Sequence, residues 1–378
     1  MNCGIVYFYL YFECRPAMSR ARHEQHKVGC CEAFLNLIGA CGFCCFIFCP
    51  PIPSIITRKF AFHPPEKGLT YRIVSKNESD RKIKNISEVK DEEYDLVVRN
   101  LENNNNDHIY AKKEVEVFSV RTSHNNDLVC VRCIPFEKSR YQALHDQVIL
   151  FCQPNSADLG GFLQPNMMNF TSYANFFEMD VFAFDYSGFG YSSGTQSERN
   201  IYADVRAVYH KILEMYPDKK IVLLGFSIGT TAAVDLASRN PEGLAGVVLV
   251  APFTSGMRLL TRKPSDPKTC CLDSFRNYDK IGKIDVKVLI CHGDEDEMIP
   301  LEHGLILHDR LKHPVPPAII RGANHQNILS ARYMATFERI LRFLKSETNV
   351  GSDSSETKSN RRHQEEDNEE KDKDKEDD

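Results

Sequence analysis

Two serines of this chain sit in G-x-S-x-G pentapeptides: Ser192 in "GYSSG" (190–194) and Ser227 in "GFSIG" (225–229). A serine hydroxyl is a weak nucleophile until a base takes its proton, and that base needs an acid to orient it. The pentapeptide carries weight where a strand runs into it and a helix leaves it, because the sharp turn then lifts the hydroxyl into reach of substrate. Ser227 has that setting, between the apolar run "IVLLG" (221–225) and the helix-compatible "IGTTAAVDLA" (228–237). Gly225 and Gly229 remove side chains that would crowd the turn. Ser192 lies several residues past its strand, in "YSGFGYSSGTQS", and reads as part of a Gly/Ser loop.

In such an architecture the chain order is serine, acid, histidine. The segment "CHGDEDEMIP" (291–300) supplies Asp294 and Asp296, and the turn spacing favours Asp296, with Asp294 as the alternative. His325, in "RGANHQN" (321–327), falls in a loop before the last helix. His292 and His303 are poorer bases, one in the strand-end turn and the other opening a helix. The backbone N–H of Ile228, at the helix start, is a candidate oxyanion donor. A second donor is expected from the loop "QPNSADLGG" (153–161), where Asn155 is the candidate and Pro154 has no N–H to offer.

The elements that must position these groups are short apolar runs: 148–152, 181–185, 221–225, 246–250, 286–291 and 317–321. Helical patterns fill the gaps, such as Tyr202, Val205, Val208, Tyr209 and Ile212. Strands separated by helices predict βαβ crossovers, a mostly parallel sheet and an α/β fold with helices on both faces. Ligands of such sheets gather at the carboxyl ends of the strands. Ahead of them, "EVEVFSV" and "LVCVRCI" flank "HNND" as an antiparallel hairpin. The last helix is predicted over 330–345, with Met334, Phe337, Leu341 and Leu344 on one face. The stretch 75–113, rich in charge and carrying four successive asparagines, reads as a surface insertion with little structure of its own.

With these residues placed, the chain resembles the alpha/beta-hydrolase-domain family seventeen of membrane-anchored protein depalmitoylases. The likeness runs from about residue 30 to 343. It is carried by "CCFIFCPP", "KFAFHPPEKGLTY", "NSADLG", "DYSGFGYSSG", "NIYADV", "GFSIGT", "VDLASR", "SGMR", "NYDKIGKI", "HGDEDE" and "GANHQN". It implies an α/β-hydrolase fold, a triad of Ser227, Asp296 and His325, and acylation of cysteines between Cys30 and Cys49. Three positions depart from the family: Gln153-Pro154 replaces a His-Gly pair, and Phe226 replaces a polar residue. Proline's narrow backbone range predicts a reshaped oxyanion loop with reduced activity.

Residues 29–51 hold Cys30, Cys31, Cys41, Cys44, Cys45 and Cys49, six of the 14 cysteines, with Glu32 the one charge. "CGFC" is a C-x-x-C, but no second ligand pair follows at zinc-finger spacing. An uncharged run from Ala33 to Cys49 is at the short limit for a spanning helix, and Gly39, Gly42 and flanking prolines interrupt it. S-acylation of an interfacial segment is the preferred expectation, because two or more thioester-linked chains give stable anchoring. Arg58 and Lys59 beside it favour an anionic cytoplasmic leaflet, at plasma or endosomal membranes. Asn2 is not the glycine that N-myristoylation needs, and residues 1–12 lack the basic start and cleavage site of a secretory signal. Met18 offers a second candidate start.

The net charge of −5 is concentrated: residues 351–378 hold twelve acidic and six basic residues, so the remainder is near +1. Nucleic acid is therefore not an expected partner, and that tail is expected to be disordered. The predicted layout is an N-terminal extension (1–27), a cysteine-rich anchor (28–63), a polar linker (64–113), a hydrolase domain (114–347) and an acidic tail (348–378). The expected activity is removal of S-linked palmitoyl groups from cysteines of membrane-associated proteins, through an acyl-serine intermediate and without metal or cofactor. A lipid esterase, acting on monoacylglycerol or lysophospholipid, and a catalytically impaired tethered pseudohydrolase remain alternatives. A monomer is the simplest expectation.

Overall fold

The computed structural model describes residues 61–78, 81–89, 93–102, 107–139, 141–269 and 273–348. The cysteine-rich segment with its six candidate acylation sites, and the acidic tail beyond residue 348, lie outside the described residues. No helix among the described residues is long and apolar enough to cross a membrane.

Eight strands form the central sheet: β4 (Val115–Arg121), β5 (Asp127–Cys133), β6 (Gln147–Cys152), β7 (Val181–Phe184), β8 (Lys220–Phe226), β9 (Leu244–Val250), β10 (Val288–Gly293) and β11 (Ala318–Ile320). Their spatial order is β11-β10-β9-β8-β6-β7-β5-β4. From β11 to β7 every pairing is parallel, while β5 runs antiparallel to both β7 and β4. The hairpin β4–β5 turns at Thr122, whose carbonyl accepts from Asn125 N–H, with Asn125 left-handed at φ 60°. β6, β7, β9 and β10 are buried along their whole length, because helices cover both faces of a parallel sheet. That burial is why each reads as a continuous apolar run rather than an alternation. Cys130 and Cys133 in β5, Cys152 in β6 and Cys291 in β10 are free, buried thiols, filling space as small apolar groups.

Among the described residues, six helices of at least six residues accompany the sheet: α1 (Phe170–Phe177), α2 (Glu198–Met215), α3 (Gly229–Ala237), α4 (Gly256–Thr261), α5 (Leu301–Asp309) and α6 (Met334–Ser346). One face of the sheet packs on α1 and α6 through Phe170, Tyr173, Phe177, Phe337, Ile340 and Phe343. The other packs on α2, α3 and α5 through residues such as Val205, Ile212, Ala233 and Leu307. In α6 the buried stripe is Phe337, Ile340, Phe343 and Leu344; Met334 and Leu341, predicted on that face, lie at its partly buried margin. Asn169 and Ser197 cap α1 and α2, their side chains accepting from Ser172 N–H and Asn200 N–H.

The expectation of an unstructured insertion over 75–113 is corrected by a second sheet. β1 (Tyr71–Ser75), β2 (Tyr94–Arg99) and β3 (Asp107–His108) pair antiparallel in the order β1-β2-β3. Tyr71, Ile73, Ile86, Val89, Leu96 and Val98 join the main core. The folded domain therefore extends back at least to the buried Phe62, not to residue 114. In β1 buried residues alternate with exposed Arg72 and half-buried Val74, while β2 buries Leu96, Val97 and Val98 in succession. Short alternation diluted by Asn and charged connections is what hid them.

Candidate active site

The chain leaves β8 at Phe226 and enters α3 at Gly229, with two residues for the reversal. Ser227 takes the strain: its φ is 55°, a left-handed conformation that costs a non-glycine residue on the order of 1–3 kcal/mol. Its backbone N–H donates to Val250 O at 3.0 Å, and its carbonyl accepts from Thr230 N and Oγ1 at 3.0 and 2.6 Å. The glycines are required by contact. A Cβ on Gly225 would stand 2.6 Å from Gly229 O, and one on Gly229 would stand 2.0 Å from Cys152 O.

Asp296 comes from the turn after β10. Its Oδ1 accepts from Met298 N–H at 3.0 Å and Ile299 N–H at 2.8 Å, which fixes the carboxylate plane. Its Oδ2 lies 2.8 Å from His325 Nδ1. His325 sits in the loop after β11, where Asn324 Oδ1 accepts from Gln326 N–H and Asn327 N–H while Asn327 Oδ1 accepts from Asn324 N–H. The two loops touch: a Cβ on Gly293 would meet Ala323 O at 2.1 Å. His325 Nε2 then lies 3.0 Å from Ser227 Oγ. Ser227 and His325 are each 9% exposed and Asp296 6%, so the relay reaches solvent at its serine end while its carboxylate is covered. With Nδ1–H donating to Asp296, Nε2 is left as the acceptor for the serine proton, the arrangement that activates a hydroxyl for attack on an acyl carbon.

The other candidates are placed elsewhere. Asp294 is exposed and accepts from Gly322 N–H at 2.7 Å, so it ties the loops together without facing His325. His292 Nε2 donates to Ile299 O at 2.8 Å and stands 3.6 Å from Asp296 Oδ2. Burial holds His292 below the usual imidazole range, and burial followed by nearby His292 pushes His303 down to about 4. His303 Nδ1 accepts from Thr254 N–H and faces its hydroxyl at 2.9 Å. Both are neutral supports behind the acid. Ser192 is buried, donates to Asp185 O at 2.8 Å and accepts from Val129 N–H at 2.9 Å, a structural hydroxyl.

Neither the N–H of Ile228 nor that of Asn155 has an acceptor among the described residues. Asn155 is held by its side chain: Oδ1 accepts from His63 N–H at 2.8 Å, and Nδ2 lies 3.2 Å from His63 Nδ1. The two departures from the family pattern have visible settings. Gln153 turns inward, its Nε2 donating to Phe184 O at 2.5 Å and Asp185 Oδ1 at 3.0 Å. Phe226 lays its ring against the His325 imidazole, centroids 5.4 Å apart and planes at 34°, so packing takes the place of a polar contact. Sequence reasoning passed over Asp185: its place at the end of the apolar run 181–185 puts an acid on the reactive edge, but its role depends on partners distant in the chain.

The sequence pattern of the alpha/beta hydrolase fold matches residues 161–269. Alpha/beta hydrolase domain-containing protein 17B from Homo sapiens is 36% identical over 319 residues, covering 83% of this chain and 99% of its own. Protein 17C from Xenopus laevis is 38% identical over 316 residues, covering 81% and 94%. Among solved structures, an esterase from Pyrococcus furiosus shares the fold with a TM-score of 0.50 at 17% identity, covering 62% of this chain and 95% of that one. The chain is thus an α/β hydrolase and belongs to the alpha/beta hydrolase domain-containing protein 17 family.

Proposed function

We propose that the protein is a serine hydrolase that removes S-linked fatty acyl groups, palmitoyl among them, from cysteines of membrane-associated proteins. The observation that carries this reading is the 3.0 Å approach of His325 Nε2 to the hydroxyl of a serine held at φ 55°. His325 takes the Ser227 proton as Oγ attacks the thioester carbonyl. The N–H groups of Ile228 and Asn155 receive the oxyanion. The C–S bond breaks and the thiolate departs, taking the proton from His325; with a thiol pKa near 8.5 it leaves far more readily than an alkoxide. Water, deprotonated by His325, then cleaves the acyl–Oγ ester, releasing fatty acid and restoring Ser227.

The same relay can cut oxygen esters, so the choice of a protein thioester rests on other grounds. These are the family resemblance and a cysteine-rich segment that would hold the enzyme on the membrane where acylated proteins lie. The segment joining β9 to β10 carries, among the described residues, α4, a one-turn helix at Asn277–Lys280 and a 3-10 turn at Ile281–Lys283, which supports an entrance open to a protein surface. Acylation of Cys30, Cys31, Cys41, Cys44, Cys45 and Cys49 at the cytoplasmic face of plasma or endosomal membranes completes the reading.

The test compares acyl release from an S-palmitoylated peptide with hydrolysis of monoacylglycerol, for wild type and Ser227→Ala. Faster thioester turnover, lost in the variant, supports the proposal. Faster glycerolipid hydrolysis would make the protein a lipid esterase, and no turnover of either would make it a pseudohydrolase.

A further inference from the structure

The segment "KFAFHPPEKGLTY" is part of the family likeness but has no place in the relay. It joins the cysteine-rich segment to β1; two of its residues, His63 and Thr70, touch the loop that carries Asn155, and a third, Tyr71, reaches that loop through Asp185. His63 grips Asn155 itself, through its N–H to Oδ1 at 2.8 Å and Nδ1 against Nδ2 at 3.2 Å. Thr70 Oγ1 lies 2.6 and 2.7 Å from the two oxygens of Asp158, and a Cβ on Gly160 would stand 2.6 Å from Thr70. Tyr71, wholly buried, donates its hydroxyl to Asp185 Oδ2 at 2.6 Å and accepts from Tyr191 N–H at 2.9 Å.

Asp185 makes the last contact matter. Its Oδ1 accepts from Gln153 Nε2 at 3.0 Å and from Leu159 N–H at 2.9 Å. One oxygen therefore holds both ends of the 153–159 loop, and Asn155 lies between them. Tyr71 holds the other oxygen and so sets the rotation of the carboxylate. Phe62 pins the start of the segment, edge-on to Phe189 at 6.4 Å and Phe275 at 5.9 Å.

We propose that residues 62–71 form a strap that positions the oxyanion loop, with His63 and Tyr71 as positioning residues acting through Asn155 and Asp185. This rests on the reading of Asn155 as an oxyanion donor. The strap is the stretch of chain that leaves the cysteine-rich segment, so the placement of a transition-state donor is built onto the anchor's exit. Displacing a donor by about 1 Å is enough to cost on the order of a hundredfold in rate, and because the donor acts in the transition state the loss falls on kcat.

The full-length protein is assayed on an acyl thioester for kcat and KM, with thermal melting alongside. The variants are Tyr71→Phe, His63→Ala, His63→Asn and, as a control in the same small sheet region, Tyr110→Phe, whose hydroxyl donates to Leu163 O. The strap predicts that Tyr71→Phe lowers kcat about tenfold or more with KM changed less than about twofold. His63→Ala lowers kcat less, His63→Asn restores part of it, and Tyr110→Phe leaves it unchanged. If Tyr71→Phe melts too low to assay, the exposed His63 pair decides. Unchanged kcat in folded Tyr71→Phe and His63→Ala overturns the strap while leaving the hydrolase reading intact. A kcat loss shared equally by Tyr110→Phe overturns it as general loosening. Absence of turnover in wild type overturns both.

Discussion

Asp296 Oδ2 and His325 Nδ1 meet at 2.8 Å although each stands on its own loop, after β10 and β11 respectively. The acid's other oxygen is occupied by two backbone N–H groups, so the carboxylate cannot rotate away from the imidazole. Removing its charge should leave the loop in place but release the tautomer that makes Nε2 a base. Asp296→Asn is expected to lower kcat about 10³- to 10⁴-fold, and Asp294→Asn, which loses only a tie to Gly322 N–H, less than about threefold. Steady-state kinetics on one thioester substrate reads both; a larger loss at Asp294 would reassign the acid.

The elbow makes a steric prediction. Gly229→Ala drives a methyl to within 2.0 Å of the Cys152 carbonyl oxygen, where backbone must move. Overpacking of that kind costs about 1–3 kcal/mol, and more where backbone must shift; the shift displaces Ser227. Gly161→Ala places its methyl 3.7 Å from Asp158 Oδ1, an ordinary contact, and should change stability by less than about 1 kcal/mol. Urea unfolding of the two variants provides the comparison, and equal midpoints would contradict the packing described for the elbow.

Buried carboxyls give the fold a pH dependence. Asp204 of α2 is wholly buried, its oxygens accepting from Ser187 N–H and Oγ at 2.7 Å. Burial raises it to about 7 in spite of those bonds, against about 3.9 in an unfolded chain. A folded-state value above the unfolded one means stability that is complete below about pH 4 and lost as pH rises through about 7. Asp204→Asn has no proton to lose there. Between pH 5 and 8 its stability relative to wild type should improve by about 2–3 kcal/mol. Urea midpoints at the two pH values measure the change; the same difference at both would show that Asp204 does not titrate in this range.

The parallel sheet was legible because strands buried on both faces read as uninterrupted apolar runs, and the relay because Ser227, Asp296 and His325 each follow such a run. The small sheet was not: β1 alternates with the exposed Arg72, β2 buries a run of only three residues, Leu96 to Val98, and β3 is two residues long, too little apolar pattern to stand out among the charges of 75–113. Asp185 escaped for a different reason. Its partners Tyr71, Gln153 and Leu159 lie 26 to 114 positions away, and no local pattern marks so distant a pairing. Phe226 looked like a lost polar contact, and only the fold shows its ring against His325.

The most direct measurement of the central claim is reaction of the folded full-length protein with a fluorophosphonate, followed by mapping of the adduct by mass spectrometry. The account predicts one phosphonylated residue, Ser227, with labelling abolished in Ser227→Ala and strongly slowed in His325→Ala. Labelling at Ser192, or none at all in a protein that melts cooperatively, would contradict it.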